Sequence, residues 1–133
     1  MQRVRVIGLD TNVLIRYLTR DDLDQWERAS QMIQENQPCF ISNVVLCEVV
    51  WVLRGRPYQF GKDEIIATLE MMVQSSGFEF ENRSVVYQAL QRTKQGRADF
   101  SDYLIGAIGR QIGCTETVTF AQKLRTEQGF HCL

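Results

Sequence analysis

Hydrophobic positions along the 133-residue chain alternate between short β-rich runs and stretches with a helical period. Residues 4–9 form an apolar run that stops at Asp10-Thr11-Asn12. Val13, Leu14, Ile15, Tyr17 and Leu18 follow at helix-compatible spacing, which predicts a strand, a sharp turn and a helix. Asp22 predicts the cap of a second helix over 23–34, with Gln25 at the capping-box position and Trp26, Ala29, Met32 and Ile33 on one face. Cys39-Phe40-Ile41 is a short strand, and Ser42 offers an N-cap for a helix over 43–53. The valines of 44–53 would suit a strand, but the length of the run and its lack of alternation favour a buried helix. Arg54-Gly55-Arg56-Pro57 breaks the pattern before an amphipathic helix over 63–74. Residues 78–81 alternate like a strand, 84–94 are helical up to Gly96, and 99–112 form a helix closed by Gly113. A strand over 117–120, a short helix over 121–128 and an edge strand over 130–133 complete the reading.

Strands alternating with helices imply an α/β fold with a mainly parallel sheet and helices on both faces. Ligands in such folds gather beyond the carboxyl ends of the strands, which marks Asp10 and the residues after Phe120 as places for chemistry. The length suits a single domain over 1–133. A hydrophobic content of 44% with 23% charged residues excludes a disordered or collagenous chain. The longest apolar run, 44–53, contains Glu48 and falls short of the roughly 18–20 residues that span a bilayer. The N-terminus lacks the apolar segment of a secretory signal, so a cytoplasmic location is expected, with no membrane partner. Cys39, Cys47, Cys114 and Cys132 form no C-x-x-C pair, and the only histidine, His131, adjoins one of them. That pattern supports neither zinc nor a disulfide framework and predicts reduced, mostly buried thiols. A net charge of −1 carries no global signal for a polyanion, so any such affinity would come from local basic residues.

The acids stand in unexpected places. Glu48 lies inside an apolar helix, where a buried carboxylate needs a cation, a donor or a route to solvent. A salt bridge or a narrow solvated stripe would meet that need as well as a ligand would. Asp10 ends an apolar strand, where it serves equally as an N-cap. Asp99 and Asp102 share the first turn of one helix, where capping and the helix dipole favour negative charge, and a divalent cation would relieve their repulsion. As a set, these acids suit phosphodiester hydrolysis, because magnesium takes a few carboxylates and activates water.

The residues Ile7-Gly8-Leu9-Asp10-Thr11-Asn12-Val13-Leu14-Ile15, Glu48 in its apolar helix, and Ala98-Asp99-Phe100-Ser101-Asp102-Tyr103-Leu104-Ile105-Gly106-Ala107 resemble the PIN-domain family, specifically the bacterial VapC-type toxins. The resemblance spans nearly the whole chain. It implies a three-layer α/β/α sandwich and an Mg2+- or Mn2+-dependent endoribonuclease acting on RNA. It also implies a homodimer neutralised by a VapB-type antitoxin. Asp10 and Glu48 match the first two family acids and Asp102 the third, with Asp99 an additional acid on the same helix. Asn12 and Ser42 match polar positions that support the acids and substrate, and Thr119 matches the polar residue of the terminal motif. The departure is Ala121, which follows Thr119-Phe120 where the family carries a fourth acid. The alternative is therefore a weakened or silent PIN module that binds RNA or an antitoxin-like partner.

Arg54, Arg56, Arg92, Lys94 and Arg97 lie in or near loops and are candidates for phosphate contact. Tyr17, Trp26 and Trp51 stand among apolar neighbours, where core or dimer packing is expected. A magnesium-dependent phosphatase would need a second Asp two positions after Asp10, and Asn12 stands there instead. A receiver domain would need an Asp after a middle strand, where Ser42-Asn43 follow Phe40-Ile41.

Overall fold

The computed structural model describes residues 6–133, so the first two residues of the expected 4–9 strand lie outside the described residues, and its remainder is reduced to a single bridge at Gly8. The chain divides into two compact units, Met1–Glu81 and Asn82–Leu133.

In the first unit the order is α1 (Thr11–Thr19), α2 (Leu23–Glu35), β1 (Cys39–Ile41), α3 (Asn43–Arg54), α4 (Lys62–Gln74) and β2 (Phe78–Phe80). β1 and β2 pair in parallel, with Phe40 opposite Glu79. The segment before Asp10 runs parallel to β1 on its other edge: Leu9 donates to the Phe40 carbonyl at 2.9 Å, and Phe40 donates to the Ile7 carbonyl at 2.8 Å. Asp10 is thereby delivered at a carboxyl end, as the alternating pattern implied. Helix starts follow local chemistry. Asp22 accepts from the Gln25 amide at 3.1 Å and Ser42 from the Val45 amide at 3.1 Å. The capping box expected at Gln25 is not closed, because its side-chain oxygen instead accepts from Arg16 Nε at 2.7 Å. On α2 Met32 is 51% exposed, and Ser30 takes the buried place expected of it beside Ala29 and Ile33.

Helix α3 corrects a larger expectation. Leu46, Val49, Val50 and Leu53 are buried at the spacing of one helical face. Val44 and Trp51 are nevertheless 69% and 80% exposed, and Glu48 is exposed between them. The helix is apolar nearly all round yet covered on one side only, so Glu48 lies on a wet edge rather than in a core.

The second unit runs α5 (Arg83–Gln95), α6 (Phe100–Gln111), β3 (Thr117–Thr119) and β4 (Phe130–Cys132), with β3 and β4 paired in parallel. Gly113, at φ +104°, closes α6 where a side chain would be strained. The helix expected over 121–128 is reduced to one 3-10 turn, Gln122–Leu124. Buried Val85, Val86, Ala89, Leu90, Phe100, Tyr103 and Leu104 line the facing sides of α5 and α6. All four cysteines are free, but only Cys39 is buried and Cys114 is exposed, against the expectation of mostly buried thiols. No helix among the described residues is long and apolar enough to cross a membrane.

Candidate active site

Asp10 is the N-cap of α1, and its Oδ1 accepts from the Val13 amide at 3.0 Å. One carboxylate oxygen is thus held by the backbone, and the residue remains exposed. The next residue, Thr11, donates its hydroxyl to Glu48 Oε1 at 2.5 Å. That bond joins the first turn of α1 to the middle of α3 and ties Glu48 to the neighbour of Asp10. Among the described residues neither acid pairs with a lysine or arginine. Each has one oxygen fixed by a neutral donor and a second that no group among the described residues claims. This is chemistry that suits a hard cation, which prefers carboxylate oxygens that are oriented but not neutralised.

Thr11 is the candidate site residue that sequence reasoning missed. It stood inside the D-T-N turn without a role, because its partner is 37 residues away in the chain. Only tertiary structure supplies that contact.

Asp99 and Asp102 occupy the start of α6 in the second unit, both half-buried. They close a capping box in which the Asp99 amide donates to Asp102 Oδ2 at 3.2 Å. The preceding loop is pinned by the buried Tyr103, whose hydroxyl accepts from the Ala98 amide at 3.3 Å. Burial first, and then a hydrogen bond to Glu127, push the Tyr103 phenol above its ordinary titration range. Gly96 is needed at this place: a Cβ there would lie 1.8 Å from the Tyr103 hydroxyl. Among the described residues no group of three or more His, Cys, Asp or Glu gathers as a metal site.

The supporting polar residues separate into different roles. Asn12 is exposed on α1 and lines a cleft of about 400 Å³ with Val13, Arg16, Arg28 and Met32. Ser42 is occupied as the N-cap of α3. Thr119 accepts from the Ala121 amide at 3.0 Å, closing a local turn at the end of β3. Arg92 is a strut rather than a free phosphate contact. It donates to the Gln128 carbonyl at 2.9 Å, lies 3.6 Å from Glu127, and stacks 5.1 Å from the Tyr103 ring. Arg54, Arg56, Lys94 and Arg97 are exposed.

A carboxylate at the end of a parallel-strand segment, joined through Thr11 to a second on a neighbouring helix, defines the class: the chain belongs to the PIN-domain family, a family of nucleases with an α/β sandwich fold. The family model matches residues 7–125. Among solved structures, the chain is similar to Mycobacterium tuberculosis VapC20, described as a Sarcin-Ricin loop cleaving toxin. The two share 18% identity, covering 92% of this chain and 95% of that one, with a TM-score of 0.43. No curated protein matches the sequence.

Proposed function

We propose that the chain is a metal-dependent endoribonuclease of the VapC toxin type, with Asp10, Glu48, Asp99 and Asp102 as the acids that serve Mg2+ or Mn2+. The observation that carries the reading is the Thr11 bridge, which ties Glu48 to the residue next to the capped Asp10, with no lysine or arginine among the described residues neutralising either acid. A bound divalent ion would offset charge on the phosphate and make a water more acidic. The chain's part is orientation. The Val13 amide fixes Asp10, the Thr11 hydroxyl fixes Glu48, and the Asp99 amide fixes Asp102. Asn12, exposed two residues after Asp10, would meet substrate in this reading, whereas Ser42 and Thr119 would act by shaping the backbone around their elements. The reading carries with it a single PIN domain over 1–133, a VapB-type antitoxin, a homodimer and a cytoplasmic location.

Ala121 favours a second reading, a silent PIN module that binds RNA or an antitoxin-like partner. It supplies no carboxylate where the family places an acid, and its amide is engaged by Thr119. Incubation of the protein with structured RNAs in Mg2+, Mn2+ or EDTA, beside Asp10→Asn prepared identically, separates the two. Cleavage that requires both metal and Asp10 is expected. Cleavage only after Ala121→Asp would replace the enzyme reading with the silent module.

A further inference from the structure

A second cleft lies at the other end of α1 from Asp10, about 13 Å along a helix of this length. Its volume is about 330 Å³, and its lining includes Tyr17, Arg20, Trp26, Ser30, Gln34 and Met71. Trp26, Ser30 and Gln34 recur every four residues along α2 and so present one stripe of the helix to the cleft. Ser30 is only 9% exposed, and its hydroxyl has no hydrogen-bond partner among the described residues. A helical serine ordinarily satisfies itself on the carbonyl four residues back. This one is left with an unused donor and acceptor at the wall of a cavity, a state that carries a desolvation penalty unless something fills it.

The other lining groups specify what would fill it. The Arg20 guanidinium carbon lies over the Trp26 ring, 4.3 Å from its centre, a cation–π contact that leaves N–H donors to meet an anion. No salt bridge engages Arg20 among the described residues, and no acid lines the cleft. Gln34 adds an amide, which donates and accepts at once. Stacked planes, an edge-reading amide, a hydroxyl and one cation are the set that receives an unstacked base with its phosphate.

We infer that this cleft binds a single unstacked nucleotide, with its base against the Arg20–Trp26 stack, its base edge on Ser30 and Gln34, and its phosphate on Arg20. The site is separate from Asp10, which stands at the opposite end of α1. Its biological source as a segment of RNA rests on the ribonuclease reading, but binding itself does not.

The test follows Trp26 emission in a Trp51→Phe background, in EDTA so that no cleavage intervenes. The ligands are ribonucleoside monophosphates, a short single-stranded oligoribonucleotide and inorganic phosphate. A saturable change with nucleotides is expected, weakened about tenfold by Ser30→Ala and by Arg20→Gln. Tighter binding of the oligonucleotide than of the monophosphates assigns the source to RNA; equal binding assigns it to free nucleotide. Ser30→Ala removes an unsatisfied hydroxyl and is expected to melt no lower than the parent, so weaker binding cannot be put down to unfolding. Binding is read in EDTA, which keeps this outcome apart from that of the cleavage assay. No saturable change at millimolar nucleotide, equal changes in both variants, or phosphate alone reproducing the whole effect would overturn the assignment.

Discussion

The two acid pairs differ in what accounts for them. Asp99 and Asp102 sit three residues apart in the second unit, and a helix start explains both through their capping box. Asp10 has a local role as the cap of α1, but Glu48 has none: it lies in mid-helix, exposed, and among the described residues is held by Thr11 from a distant part of the chain. A residue that local structure requires says little about function. A charged residue kept in the middle of an apolar helix and oriented by a tertiary hydrogen bond is better explained by chemistry at its free oxygen.

The sharpest way to break this contrast is to neutralise one member of each pair while preserving shape. Glu48→Gln is expected to lower kcat/KM for metal-dependent RNA cleavage by about 10²–10³-fold, while Asp99→Asn, which can still cap α6, lowers it by about tenfold. Steady-state cleavage with matched circular dichroism measures both. Equal losses would erase the distinction between the pairs. Asp10→Asn belongs with Glu48→Gln, because asparagine keeps the cap on Val13 and removes only the charge, whereas alanine would also forfeit about 1 kcal/mol of helix capping.

A second substitution tests whether the other pair depends on its scaffold. Gly96→Ala would press a methyl group into the Tyr103 hydroxyl that pins the loop before Asp99. Destabilisation of about 3 kcal/mol is expected in urea unfolding. Tyr103→Phe in the same background should recover part of it by making room. If Gly96→Ala melts like the parent, the loop is not held as described.

Much of this arrangement was legible in the sequence, for a physical reason. Asp22 and Ser42 were readable as caps and Gly113 as a helix end, because each acts on backbone groups within a few residues. Asp10 at a carboxyl end followed from alternation alone. What failed depended on partners distant in the chain. The α3 apolar pattern could not show that only one face is covered, and Gln25 could not reveal that Arg16 takes its side chain. Arg92 read as a free loop cation because Glu127, Gln128 and the Tyr103 ring, which hold it, come later in the chain. The tail read as a helix where its hydrogen bonds close only one 3-10 turn.

Thr11 offers a smaller and more selective test. Thr11→Val keeps the shape of the side chain and removes the donor to Glu48. The metal concentration for half-maximal cleavage should rise about tenfold, and Thr11→Ser should restore it. A fall in maximal rate at saturating metal, unchanged by serine, would instead make Thr11 a packing residue.

The mildest effect comes from an acid in the first unit that is fully partnered. Asp21 accepts from Tyr58 at 2.5 Å and from Thr19 at 2.9 Å, and pairs with Arg16 at 3.1 Å. The Tyr58 bond, then the Thr19 bond, hold its carboxyl below the ordinary value of 3.8. The same bond, followed by burial, raises the Tyr58 phenol above its ordinary 10.0. The lowered carboxyl stabilises the fold above pH 3.8, and that contribution is lost as pH falls through the folded-state value. The raised phenol stabilises below pH 10.0, and its contribution is lost as pH rises through the folded-state value. Tyr58→Phe should therefore melt a few degrees below the parent across the middle of the pH range, with the two curves converging at both extremes. A gap that stayed constant into acid would mean that the hydroxyl acts through packing rather than through the Asp21 charge. Asp21 would then no longer serve as the contrast to Asp10 and Glu48, which pair with no lysine or arginine among the described residues.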